Sequence, residues 1–136
     1  MHMRPLVVYD TNIFVSYLLS PDKSGTIRTI VEQISQKQTT PVFSNAIMTE
    51  YERVLHYRKF RFSHDSIQTM LSFIYENGLC VAPEPTGVPF TDASDKCFYD
   101  AAITAGAHWL VTGNKRHYPQ ESFIVSPREY LERTGH

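Results

Sequence analysis

Short apolar runs alternate along the chain with longer stretches in which apolar residues recur every three or four positions. The run LVVY at residues 6–9 predicts a first strand. Residues 11–20 have an apolar face at helical spacing and predict a helix, which Pro21 and Asp22 end. The same reading predicts further helices starting after Ser24 and Gly25, at 45–57, from Ser63 or Asp65 to Gly78, at 95–105 and from Ser126 and Pro127. It predicts further strands at 41–43, 79–82, 108–111 and 123–125.

Strands that alternate with helices predict a parallel sheet covered by helices on both faces. The chain has 136 residues, which suits a single domain over residues 1–136 with a sizeable hydrophobic core. The expected fold class is therefore α/β, with a central, mostly parallel five-stranded sheet. In such sheets, ligands bind at the carboxyl ends of the strands.

Composition and charge narrow the classes of function. Apolar residues make up 42% and charged residues 20%, a balance typical of globular proteins, and no apolar run is long enough to span a bilayer. No secretory signal is expected at the N-terminus. Cys80 and Cys97 lack the spacing of metal or redox motifs, which predicts free thiols in a cytoplasmic protein. Because the net charge is −1, affinity for nucleic acid would have to come from a local patch.

Acidic side chains stand where the predicted strands end. Asp10 follows the first strand, and Glu50 lies in the helix after the second. Asp92 and Asp95 flank the start of the helix before the fourth strand, and Asn114 follows that strand. Because the carboxyl ends of parallel strands meet at one edge of a sheet, we expect these side chains to converge there.

Each of these residues also has an ordinary structural explanation. Asp10, like Thr11 or Asn12, can cap the first helix. Glu50 can pair with Arg53 three residues later. The remaining alternatives are the helix dipole for Asp92 and Asp95 and turn chemistry for Asn114. Asp100, five residues after Asp95, is expected to point away from the shared site and to form a surface ion pair with Lys96.

The carboxylates together make a stronger case than any one of them. Two carboxylates about 4 Å apart repel by roughly 4 kcal/mol at an effective dielectric near 20, so three at one site require a cation or a proton. Oxygen ligands alone suit Mg²⁺ or Mn²⁺ rather than zinc. The sequence contains no P-loop, no GxGxxG and no recognisable Ser, Cys or His nucleophile. Hydrolysis by a metal-activated water is the chemistry that this combination favours.

The family that the sequence resembles is the PIN domain. The resemblance rests on four segments in order: VYDTN at 8–12, Glu50 within a helix, DASDKCF at 92–98 and LVTGN at 110–114. It covers nearly the whole chain, and the part from Asp95 to Asn114 is the most specific. More narrowly, the sequence is similar to bacterial PIN-family toxin components related to the VapC-like ribonucleases.

The resemblance implies a metal-dependent endoribonuclease with a doubly wound, three-layer α/β/α fold. Matched residue by residue, Asp10, Glu50 and Asp95 are the acidic triad that holds Mg²⁺ or Mn²⁺, and Asp92 is an accompanying acidic position. Many PIN domains have a fourth acid where this chain has Asn114, so the resemblance implies one well-held cation. The supporting polar positions are Thr11 and Asn12, which are expected to hold Asp10 or its water shell, together with Thr112 and Asn114.

The implied partners are single-stranded or looped RNA, a small antitoxin that blocks the acidic cleft, and a second copy of the chain in a homodimer. Cations for RNA are concentrated in ERVLHYRKFRFSH at 52–64, where aromatic residues alternate with basic ones. The alternative is that these aromatic rings pack in the core and the cations are solvated helix ends. The RNA-binding candidates are Arg53, Arg58, Lys59 and Arg61, followed by Lys115 and Arg116 near Asn114.

Three hypotheses remain open from the sequence. The leading one is a ribonuclease that depends on Mg²⁺ or Mn²⁺. The second is a non-catalytic PIN-like module that binds RNA or a protein, with Asn114 as a sign of lost activity. The third is a metal-dependent phosphatase of small molecules, which predicts an enclosed pocket rather than a groove flanked by Arg58 and Lys115.

Overall fold

A single parallel sheet organises the chain. The computed structural model describes residues 4–20 and 25–135. Its strands lie in the order β3-β2-β1-β4-β5, and all four pairings between neighbours are parallel. The strands are β1 at Leu6–Tyr9, β2 at Thr40–Phe43, β3 at Leu79–Cys80, β4 at Trp109–Val111 and β5 at Ile124–Val125.

Helices fill the connections between the strands in the predicted order. The α-helices are α1 at Thr11–Leu19, α2 at Thr26–Ser35, α3 at Asn45–Leu55, α4 at His64–Asn77, α5 at Ala93–Ala105 and α6 at Pro127–Arg133. Two short 3-10 helices, Arg58–Phe60 and Lys115–His117, were not predicted. The predicted break at Pro21 and Asp22, and Ser24 before α2, lie outside the described residues.

The sheet is buried on both faces except at the exposed edge strand β3. Successive strand residues point to opposite sides, and Val7, Val8 and Tyr9 of β1 all have 0% exposed surface. Helix α5 contacts β1, β2 and β4, while α6 contacts β4 and β5. The predicted three-layer α/β/α fold with a five-stranded sheet is therefore confirmed, with every pairing parallel.

Side-chain caps begin the helices that border the carboxyl edge of the sheet. Asp10 caps α1, Ser44 caps α3 by accepting from the Ile47 N–H at 3.1 Å, and Asp92 caps α5 by accepting from the Ser94 N–H at 2.9 Å. Because α1 and α3 start directly after β1 and β2, their first turns lie at this edge. The capped helix starts therefore fix the backbone around the predicted acidic residues.

Several element bounds differ from the sequence prediction by one or two residues, and two differences have a clear physical reason. Strand β3 ends at Cys80 rather than residue 82, because its partner β2 already ends at Phe43. Asp100 pairs with Lys96 at 2.6 Å as predicted, but its placement on the surface was wrong: it is 8% exposed. The same carboxylate accepts from the Thr86 hydroxyl at 2.7 Å, so it also ties the loop before α5 to that helix.

The cysteines are both free thiols, as predicted; Cys97 is partly buried and Cys80 is exposed. No helix in the described ranges 4–20 and 25–135 is long and apolar enough to cross a membrane.

Candidate active site

The predicted acidic residues line one open cleft of ≈ 270 Å³. Asp10 reaches it from the end of β1 and Glu50 from α3, whereas Asp92 and Asp95 reach it from the start of α5. The structure thus brings together four carboxylates that are dispersed in sequence. Thr11, Asn12 and Asn114 also line this cleft, together with His117, Tyr57 and Phe60.

Asp10 is held by three hydrogen bonds. Its Oδ1 accepts from the Thr11 N–H at 2.7 Å, and its Oδ2 accepts from the hydroxyls of Thr112 at 2.8 Å and Tyr118 at 2.9 Å. Burial raises the pKa of Asp10. The hydrogen bonds favour the charged form and lower the pKa, but they offset only part of the rise. Asp10 therefore caps α1 and faces the cleft at the same time.

Asp95 is buried without comparable support. Among the described residues, its Oδ2 has no hydrogen-bond partner, and the Nδ1 atom of His117 lies 3.5 Å away. Burial, followed by the negative charges of Asp10 and Asp92, raises the pKa of Asp95 to about 6. The charged form of this carboxylate is therefore poorly stabilised in the absence of a cation.

Glu50 forms the ion pair with Arg53 that was the structural alternative for it. The Arg53 guanidinium donates to both carboxylate oxygens of Glu50, with 3.3 Å between Nε and Oε2. Arg53 also donates to the Tyr57 hydroxyl, and its Cζ lies 5.5 Å from the centre of the Tyr57 ring. Glu50 lines the cleft in spite of this pairing.

The supporting polar residues join the strand ends to each other. The Oδ1 atom of Asn12 accepts from the Gly113 N–H at 3.1 Å, so Asn12 holds the segment after β4 rather than Asp10. Thr112 donates to Asp10 while its hydroxyl oxygen accepts from the Asn114 N–H at 3.0 Å. The Thr11 hydroxyl is buried and lacks a hydrogen-bond partner within the described part of the chain.

A comparison with known families identifies the family of this chain. The family model described as "PIN domain" matches residues 6–116. The chain belongs to the PIN domain family. Its fold is similar to that in the crystal structure of VapBC2 from Rickettsia felis bound to a DNA fragment from their promoter, with a TM-score of 0.55 and 15% identity over 89% of this chain and 96% of that one. No curated protein sequence shows a significant match.

The oxygen donors of this PIN domain suit a hard divalent cation. Asp10, Glu50 and Asp95 supply only oxygen atoms, and the buried Oδ2 of Asp95 is without a partner in the described structure. As the side chains stand, no three His, Cys, Asp or Glu residues of ranges 4–20 and 25–135 are grouped closely enough to hold a metal ion. Glu50 in particular is engaged with Arg53. The chemistry of these donors fits a divalent cation, but their side chains would have to move closer together to bind it.

Two contacts of this PIN domain were not anticipated from its sequence. Tyr118 donates to Asp10, and His117 lies beside Asp95. Both follow from the 3-10 helix Lys115–His117, which turns the chain back towards the end of β1. The only available signal was their position within four residues of Asn114, which does not specify a turn.

The RNA-binding candidates divide into paired and unpaired cations. Lys115 donates to both carboxylate oxygens of Glu129, at 2.9 and 3.2 Å, and Arg53 is held by Glu50. The other candidates are exposed and form no ion pair within the described residues: Arg58, Lys59, Arg61 and Arg116.

The aromatic residues at 52–64 fit both explanations given for them, packing in the core and exposure for stacking on bases. Phe60 and Phe62 are partly buried against the core and stack on each other at 5.5 Å between ring centres. Tyr57 is 38% exposed and stacks on Phe60 at 6.1 Å, and these two rings also line the acidic cleft. The unpaired cations Arg58 and Lys59 of the 3-10 helix Arg58–Phe60 therefore stand in sequence between two residues that line the cleft.

Proposed function

We propose that this PIN domain is an endoribonuclease that depends on Mg²⁺ or Mn²⁺ and hydrolyses RNA phosphodiester bonds by attack of a water molecule. The proposal rests on the convergence of Asp10, Glu50, Asp92 and Asp95 on one open cleft. Like charges brought together in a partly buried cleft repel each other, and a bound cation is the simplest group that stabilises them.

Asp10, Glu50 and Asp95 would hold the cation, with Asp92 as the accompanying carboxylate. When bound, such an ion would lower the pKa of a coordinated water and offset the charge that develops on the phosphate. Glu50 would exchange Arg53 for the cation, which leaves the Arg53 guanidinium available to a phosphate oxygen. Cleavage of a mixed RNA substrate with Mn²⁺, compared among wild type, Asp10→Asn and Asp95→Asn, tests the proposal.

The proposed substrate class rests on exposed residues that lie in, or next in sequence to, the segments that line the cleft. Arg58, Lys59 and Arg61 are suited to contact phosphates, and the exposed ring of Tyr57 is suited to stack on an unpaired base. Arg116 follows Asn114 and provides a further exposed cation. This combination favours single-stranded or looped RNA, since bases in a duplex are not available for stacking.

Reversing three of these positive charges is expected to weaken RNA binding and its dependence on salt. In the triple variant Arg58→Glu, Lys59→Glu and Arg61→Glu, the slope of log affinity against log salt should fall by about 2, since each lost phosphate contact on a single strand is worth about 0.7. Affinity would be measured by fluorescence anisotropy at several salt concentrations. Arg128→Glu, an exposed reversal on α6, is the control for a charge reversal elsewhere on the surface. A slope equal to that of wild type would rule out the patch.

A second candidate is a non-catalytic PIN-like module that binds RNA or a protein. It is favoured by the Glu50–Arg53 ion pair, which occupies one of the proposed ligands, and by Asn114, which brings no charge. Titration with Mn²⁺ separates the two candidates, because only the nuclease requires the ion. The open shape of the cleft favours either of them over a small-molecule phosphatase.

The biological role proposed is that of a toxin in a toxin–antitoxin pair. The matched structure is a VapBC2 assembly on promoter DNA, and by analogy this chain would have a small antitoxin partner that blocks its cleft. We further propose that it acts in the cytoplasm and forms a homodimer. A neighbouring reading frame for a small protein that suppresses RNA cleavage when co-expressed would support this role.

A further inference from the structure

One of the hydrogen bonds to the Asp10 carboxylate comes from Tyr118, which is not one of the acidic residues that line the cleft. The Tyr118 hydroxyl donates to Oδ2 of Asp10 at 2.9 Å, and the Thr112 hydroxyl donates to the same oxygen at 2.8 Å. Each carboxylate oxygen accepts about two hydrogen bonds, so these two hydroxyls fill Oδ2. Oδ1 accepts from the Thr11 N–H at 2.7 Å and keeps one lone pair.

The Tyr118 ring is fixed independently of Asp10. It is 6% exposed, and it packs edge-to-face on the Phe90 ring with 5.7 Å between the ring centres. It also follows directly on the 3-10 helix Lys115–His117, which determines where its backbone lies. The hydroxyl is therefore a preorganised donor, and the burial of the ring limits competition from water.

Asp95 differs from Asp10 in this respect. Its Oδ2 is buried and accepts no hydrogen bond from the described residues, whereas Oδ2 of Asp10 accepts two. One carboxylate of the site is thus held in a fixed orientation and the other is left open. This asymmetry is what a cation site needs if one ligand is to be in place before the ion arrives.

We propose that Tyr118 is a positioning residue for cation binding. Together with Thr112 it occupies Oδ2 of Asp10 and leaves Oδ1 as the one oxygen of that carboxylate available to a cation. This inference rests on the proposed function, because it takes Asp10 to be a ligand of the ion.

The test compares two tyrosine variants by calorimetric titration with Mn²⁺. Tyr118→Phe removes the hydroxyl and retains the ring, and its dissociation constant for Mn²⁺ is expected to rise about tenfold, as is typical for partners of metal ligands. Tyr130→Phe is the matched control, because the buried Tyr130 hydroxyl donates to the Gln33 side chain at 2.9 Å and does not line the cleft. Its Mn²⁺ affinity should stay within about twofold of wild type, while thermal unfolding should show that both variants lose some stability.

Each outcome has a distinct meaning. If wild type binds Mn²⁺ and Tyr118→Phe binds it equally well, the positioning role is wrong and the proposed function stands. Equal weakening in both variants would show a general effect on folding and would also overturn the positioning role. If wild type itself takes up no Mn²⁺, the proposed function fails and this inference fails with it.

Discussion

Replacing Asp10 or Asp95 with asparagine is expected to reduce Mn²⁺-dependent RNA cleavage by at least about 100-fold, because even indirect partners of metal ligands contribute 10- to 100-fold. Both carboxylates line the cleft, and asparagine keeps their shape while removing the charge. The measurement is the initial rate of cleavage of a mixed RNA substrate with saturating Mn²⁺. Asp10→Asn tests the proposed ligand that hydrogen bonds already hold in place, and Asp95→Asn tests the proposed ligand that lacks such support.

The control for this experiment is the same chemical change away from the cleft. Asp65→Asn alters an exposed carboxylate in the first turn of α4, and its cleavage rate should equal that of wild type. Circular dichroism would establish that all three variants are folded. Activity that survives both Asp10→Asn and Asp95→Asn would show that these carboxylates are not the catalytic site.

The same Asp95→Asn change is expected to stabilise the metal-free protein. Burial and the nearby charges of Asp10 and Asp92 raise the pKa of Asp95 in the folded state to about 6, above its unfolded value. Between about pH 4 and pH 6 the folded state holds a proton that the unfolded state has lost, so stability falls as the pH rises through this window. At pH 7 the cost is on the order of 2–3 kcal/mol. Removing the charge should therefore raise the melting temperature at pH 7 by roughly 5–10 °C.

Thermal unfolding would be measured with a chelator present, so that no cation is bound. Asp100→Asn is the control, because it should change the melting temperature in the opposite direction. Burial tends to raise the pKa of Asp100, but hydrogen bonds from Lys96 and Thr86 outweigh it and hold the pKa low. Asp100→Asn should therefore lower the melting temperature at pH 7, whereas Asp95→Asn should raise it. For Asp95→Asn, the gain over wild type should shrink as the pH falls towards 4. A melting temperature for Asp95→Asn at or below that of wild type at pH 7 would contradict the account.

The elements that could be predicted from sequence are those with a local signal. The LVVY run of β1 is a continuous apolar segment, and the caps Ser44 and Ser63 stand directly before the helices they start. The two 3-10 helices have only three residues each, too few to show a period. The length of β3 depends on where β2 ends, which is a property of the pair rather than of either segment.

The acidic cleft and its local hydrogen bonds were predictable, but its long-range hydrogen bonds were not. Asp10, Glu50 and Asp95 could be placed together because parallel strands end at one edge, and the pairing of Glu50 with Arg53 is a local helical contact. The Tyr118–Asp10 hydrogen bond joins residues 108 positions apart through an irregular turn, so no periodic pattern in the sequence predicts it. The burial of Asp100 likewise depends on the path of the loop that contains Thr86.

The central claim is that the acidic cleft holds a divalent cation, and calorimetric titration of the wild-type protein with Mn²⁺ tests it most directly. Saturable binding of one ion is expected, with an affinity at least about tenfold lower in Asp10→Asn and in Asp95→Asn. Absence of binding heat at millimolar Mn²⁺, or equal affinity in all three proteins, would contradict it.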